Sequence, residues 1–276
     1  DQQAYWQSSF QTEGGVSGWG GRAADLLMSN NARSTLTCIS VNGNALFLSG
    51  QQAISYQLSS TGATTVNAVK NKSLFGSSAC ANALQVLMTQ PSAIPMANDY
   101  TVVTKRALDT YDGIVSAIGT APSASMNAWF PSSSSNTLSA QLKIVARLIE
   151  QQAVFGMKRQ VFMVGMGGFD LHDFLPTQHP GLLQKLSVAM KEFDDAMINL
   201  GKSSQVTTFT ASDFGRTLAS NGDGSDHGWG AHHFVMGGAV DGGKYAGVAP
   251  EIGLNHNEQV GGGRLLPSTS VDQFGA

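Results

Sequence analysis

Apolar residues recur at helix spacing through the front and the middle of the chain. The spacing predicts short helices over residues 2–10 and 21–29, with a glycine-rich break between them. Between 35 and 59 the runs TLTCISV, ALFLS and AISYQL are rich in β-branched and aromatic residues and are separated by turn residues, which predicts a small β excursion. Further helices are predicted over 79–88, 98–118 and 137–155. In the last of these Leu138, Leu142, Val145, Ile149 and Ala153 form one stripe suited to face a core. Pro131 and the serines at 132–135 predict a loop running into a helix cap, with a solvated linker as the alternative.

After Gly156 the pattern changes to short apolar runs that end in polar, glycine-rich corners: QVFMVGMGG, VTTFTASDFG and HFVMGGAV. Between the first two, Leu183, Leu186, Met190, Phe193, Met197 and Leu200 repeat every three or four residues, and Gly201 is the stop. Strand, crossover helix and strand of this length predict a parallel βαβ unit with strands buried on both faces, and hence an α/β fold. Ligands of such sheets sit beyond the carboxyl ends of the strands, which makes the corners the places to look for chemistry.

Composition narrows the function. The 276 residues contain no apolar stretch of about 18, so no membrane span is expected. Charged residues are 13%, against about 25% in an ordinary domain, and the formal net charge is −3 without a Lys/Arg cluster. That leaves nucleic acid without an electrostatic footprint. A polar, weakly charged surface is typical of exported bacterial proteins, although the chain opens with Asp1-Gln2-Gln3 and carries no signal-peptide pattern. Cys38 and Cys80 are either one disulfide or two separate thiols, and their count does not decide.

The strand-end corners hold FDLH, with Asp170 and His172, and SDFGRT, with Asp213. Asp226 and His227 follow, and His232 and His233 open the next apolar run. Carboxylates and neutral imidazoles together suit Zn, Mn or Fe, and loops at strand ends bring distant ligands together. Two ions about 3.5–4 Å apart would clamp an in-line displacement at phosphorus or sulfur. The plainer alternative has Asp213 capping the next element and pairing Arg216, Asp226 holding a glycine-rich turn, and His232 or His233 packing as strand residues. Asn221, Asp223 and Asp226 alternate with glycine but lack the distal Glu of a calcium loop, which favours a turn. Ser212 lacks the GxSxG elbow of a serine hydrolase.

The segments GFDLH, ASDFGRT, SNGDG, SDHGWG and GGAVDGGKYAG, with DQQAYWQS and GWGGR at the front, resemble in order and spacing a bacterial family of exported proteins of unknown function. That family often carries a twin-arginine signal and is placed in the alkaline phosphatase superfamily. The resemblance implies an alkaline-phosphatase-like α/β fold, a mainly parallel sheet between helices in one domain over 1–276, incomplete at both ends. It implies one or two divalent ions (Zn, Mn or Fe) held by Asp170, His172 and Asp213, with Asp226 and His227 replacing a ligand lost at Phe214 and His232 as a weaker candidate. The nucleophile and another metal-binding Asp would lie before Asp1. Function follows as an expectation: an exported metal-dependent hydrolase or transferase acting on small phosphate or sulfate esters, in the periplasm or outside the cell. The alternative on the same fold is a non-catalytic secreted scaffold with an extracellular protein partner. Export also favours the disulfide between Cys38 and Cys80.

Overall fold

A computed structural model describes residues 2–10, 15–119 and 121–275. Asp1, which opens the front segment of the resemblance, lies outside them. The architecture is mixed α/β, built on a small parallel sheet flanked by helices. Strands β1 (Cys38–Ser40), β2 (Tyr56–Gln57) and β3 (Val161–Met163) lie in the order β2-β1-β3, with Cys38 opposite Val161 and Ile39 opposite both Tyr56 and Phe162. The predicted excursion is therefore part of the main sheet and supplies its central strand. ALFLS does not extend but winds into a 3₁₀ turn at Leu46–Leu48, which puts Phe47 and Leu48 in the interior.

Alternation along β1 and β3 sends side chains to two cores. Cys38, Val161 and Met163 face a cluster with Ala24, Phe47, Leu48 and Ala53. Ile39, Val41, Phe162 and Val164 face a larger one with Ile114, Met126, Phe130 and the helices α7 and α9 defined below. The smaller cluster is roofed by helices α1 (Gln2–Ser8) and α2 (Trp19–Leu27), whose Trp6 packs tilted and Trp19 edge-on against Phe47.

The remaining helices are α3 (Asn67–Lys70), α4 (Ser78–Thr89), α5 (Pro95–Ile118), α6 (Ala124–Trp129), α7 (Thr137–Glu150), α8 (Gln152–Phe155), α9 (Leu175–Asn199) and α10 (Val271–Gly275). Helix α7 is capped as expected: the Asn136 side chain accepts from Leu138 N and donates to the Lys185 carbonyl on α9. Leu138, Leu142, Val145 and Ile149 are buried, but the helix breaks at Gln151, so Ala153 falls outside the stripe and is exposed. Across the α7–α9 contact the buried Glu192 accepts from Ser132 N and Ser139 Oγ. Helix α9 begins eight residues before the predicted 183, running through Pro180, and stops at Gly201 in the left-handed conformation.

The second half departs from the parallel scheme. Strand β4 (Thr208–Phe209) does not pair with β3; it pairs antiparallel with a strand at Val235–Met236, Thr208 opposite Met236. Gly237 passes so close to Val206 that a Cβ there would overlap the Val206 carbonyl, which lets this partner lie alongside β4. Strand β5 (Gly215–Ser220) and β6 (Ser225–Gly228) form an antiparallel hairpin, and Val235–Met236 is β7. The described strands are thus not mainly parallel, and β3 and β4 are only half-buried. Phe209 nonetheless joins the smaller core beside Trp19.

The expected disulfide is not formed. Cys38 is buried in the central strand and Cys80 is exposed on the first turn of α4, so both are free thiols. Burial pushes the Cys38 thiol up to about 12, which makes it inert. Among the described residues no helix is long and apolar enough to cross a membrane.

Candidate metal centre

Chain segments from opposite sides of α9 meet at one surface. The corner after β3 carries Phe169, Asp170 and His172, and the β5–β6 hairpin carries Phe214, Arg216, Asp226 and His227. The hairpin turns through the four residues Asn221-Gly222-Asp223-Gly224, where Gly222 takes a positive φ that other residues rarely adopt. Its tip is seated on the corner: Asp223 O accepts from Leu175 N at 3.0 Å, satisfying an orphan donor at the start of α9. Gly224 passes so close that a Cβ there would overlap the His172 carbonyl.

This seat brings three donors together. Asp170 Oδ1 lies 3.0 Å from His172 Nε2 and 2.8 Å from His227 Nε2, and the three ligand atoms fall within 4.8 Å of one another. Asp226 Oδ1 adjoins them, 3.5 Å from His172 Nδ1, and takes a hydrogen bond from Asn221 Nδ2 at 3.2 Å. Arg216 fixes the frame: its Nη2 donates to Asp170 Oδ1 and to the Phe169 carbonyl, and its Nη1 donates to the Ser225 carbonyl across the hairpin. Phe214 stacks on His227 with centroids 3.9 Å apart and rings 6° from parallel. The hydrogen bond from His227, then that from Arg216, holds the Asp170 carboxyl below the usual carboxylate range despite some loss of solvation.

The donor set fits a divalent ion. Two imidazoles and a carboxylate suit Zn, Mn or Fe, and the 3.0 and 2.8 Å from Asp170 Oδ1 to the two imidazole nitrogens are at or just under the roughly 3.0–3.4 Å between ligands that lie about 2.1 Å from one ion. The side chains of His172, His227 and Asp170 are 46%, 45% and 56% exposed, so the outward side of such an ion would be open to solvent.

Of the residues singled out by sequence, Asp170, His172 and His227 converge and Asp226 lies beside them. Asp213 is engaged elsewhere: its carboxylate accepts from Trp6 Nε1 at 2.8 Å and Gln3 Nε2 at 3.3 Å, tying α1 to the end of β4. It does not pair with Arg216, which is committed to Asp170. His232 is exposed and outside the group of converging donors, and the neighbouring His233 ring lies 5.7 Å from Phe274. Sequence reasoning missed Arg216 as the clamp and Phe214 as the shelf under His227. The signal was the NGDG turn, which folds Phe214 and Arg216 back beside His227.

A family model described as "Protein of unknown function (DUF1501)" matches residues 7–275. The chain belongs to this family. No curated protein and no solved structure matches it. The match spans both the corner after β3 and the hairpin, so the candidate centre lies wholly inside the family region.

Proposed function

We propose that this protein is an exported, divalent-metal-dependent hydrolase or transferase acting on phosphate or sulfate esters, built on the alkaline-phosphatase-like plan that its sequence resembles. The observation that carries the reading is the convergence of Asp170, His172 and His227 on one open surface next to a parallel strand end. A bound Zn, Mn or Fe ion would supply a Lewis acid for an ester oxygen. The chain's own residues prepare the site. Asp170 is kept ionised, Asp226 Oδ1 lies 3.5 Å from His172 Nδ1 on the side of the ring away from Asp170, and Phe214 fixes the plane of His227. Arg216 acts as a positioning residue, holding Asp170 against the hairpin. Export rests on the low charge and on the resemblance.

One observation favours the second reading, a non-catalytic secreted scaffold that keeps the fold. Arg216, whose Nη2 touches Asp170, directs three of its five N–H donors to two backbone carbonyls and Asp170, and its Nε is buried, so most of its hydrogen-bonding capacity is turned inward rather than toward an ester anion. The two readings separate on p-nitrophenyl phosphate and p-nitrophenyl sulfate, with the protein loaded in turn with Zn, Mn and Fe. Metal-dependent turnover that disappears in Asp170→Ala supports the enzyme. Metal bound without turnover of either ester refutes it in favour of the scaffold.

A further inference from the structure

A cationic groove lies between α5 and the segment that leads into β1. It consists of two adjoining cavities of about 400 and 360 Å³ that share Thr35, Arg106 and Thr110. Arg33, Lys105 and Arg106 all line the first, and the carboxylate there, Asp109, is already taken by Lys105 at 2.7 Å. Among the described residues neither the Arg33 nor the Arg106 guanidinium has a hydrogen-bond or ion-pair partner. Arg33 is nevertheless held in place. Its guanidinium carbon lies 5.9 Å from the Phe155 ring centroid, and it passes over Gly113 in the interior of α5, where a Cβ would overlap Nη1. Glycine is a poor choice inside a helix, and here it leaves the space that the guanidinium occupies.

Arg33 and Arg106 both line the first cavity and neither guanidinium has a partner among the described residues, and such paired N–H donors match a tetrahedral oxyanion. Ser34, Thr35, Gln52 and Gln57 continue along the second cavity among Met28, Ile54, Tyr56 and Val103, a mixed lining that offers hydrogen bonds to alcohol groups and an apolar wall to a sugar's carbon face. We infer that this groove binds a small polyhydroxylated ligand carrying a phosphate or sulfate group, with the oxyanion between Arg33 and Arg106. The groove is separate from the histidine cluster. Arg33 to Thr35 enter β1 from its amino end, whereas Asp170 and His172 follow the carboxyl end of β3, which runs parallel to β1 in register. The inference therefore stands whether or not the cluster holds a metal.

The test is calorimetric titration of the protein in chelator, as wild type and as Asp170→Ala, with glucose 6-phosphate, glucose 6-sulfate, inorganic phosphate and glucose as probes. Either charged sugar should bind roughly tenfold or more tightly than glucose and more tightly than inorganic phosphate, and the preferred one names the oxyanion. Arg33→Gln with Arg106→Gln should remove roughly tenfold or more of that affinity without lowering the melting temperature. Gly113→Ala should also weaken binding, by displacing the Arg33 head, while leaving the helix at least as stable. Equal binding of glucose and the charged sugars, or affinity unchanged within about twofold in the double variant, overturns the inference. Inorganic phosphate binding as tightly as the sugar phosphate overturns the polyhydroxylated part.

Discussion

Replacing Arg216 by Gln tests how the candidate centre is held together. The guanidinium makes hydrogen bonds of 2.7 Å to Phe169 O, 2.8 Å to Asp170 Oδ1 and 2.7 Å to Ser225 O, and its side chain is 20% exposed. Glutamine is shorter and uncharged and can replace at most one of these bonds. A hydrogen bond is worth about 1 kcal/mol net, more where a charge is involved. The freed carbonyls regain some water at this exposure, and the buried Nε, which has no partner among the described residues, no longer has to be desolvated. The net loss is then about 2–3 kcal/mol, or roughly 3–5 °C in melting temperature for a chain of this size. The corner after β3 also comes loose from the hairpin, so metal affinity should fall about tenfold or more, the usual effect of losing a partner behind a ligand. Arg216→Lys keeps the charge without the fork and should fall between. Differential scanning calorimetry of the chelated protein and a zinc titration read the two effects separately. A melting temperature within about 1 °C of wild type together with unchanged metal affinity refutes the clamp.

Other expectations follow from placement. Iodoacetamide should label Cys80 alone in the native protein and both cysteines after unfolding, because Cys38 is buried with a thiol near 12; a nonreducing peptide map joining the two would contradict this. Asp213→Ala should cost about 1–2 kcal/mol and shift tryptophan emission by releasing the Trp6 indole, with metal content unchanged; halved metal content would return Asp213 to the ligand set. The Asp170 carboxyl is held below 3.8, so its contacts stabilise the fold above that pH and are lost as pH falls through the lowered value. The melting difference between wild type and Asp170→Asn should persist down to about pH 5 and close below 3.8, and a difference that already vanishes near neutral pH would refute the ion-pair account.

The helical half of the fold was legible because burial there follows one short-range period. The stripe of α7 and the Gly201 stop of α9 can be read from spacing alone, whereas the break at Gln151 and the early start of α9 at Leu175 cannot. Sheet partners were not legible. QVFM and VTTF look alike as apolar runs, and which strand pairs with which is decided by contacts far apart in sequence, such as Gly237 against Val206. The centre was half legible for the same reason. Asp170, His172 and His227 stand out as residue types, and the NGDG turn that unites them is a local signal. That Asp213 serves α1 through the Trp6 indole could not be seen without the fold, because residues 6 and 213 meet only in three dimensions.

The central claim is that Asp170, His172 and His227 hold a divalent ion. Its most direct test is elemental mass spectrometry on protein purified without chelator, beside Asp170→Ala and His227→Ala variants checked for folding by circular dichroism. The account predicts Zn, Mn or Fe near one equivalent in the wild type and a marked loss in both folded variants. Metal-free wild type, or metal retained in full by both variants, would contradict it.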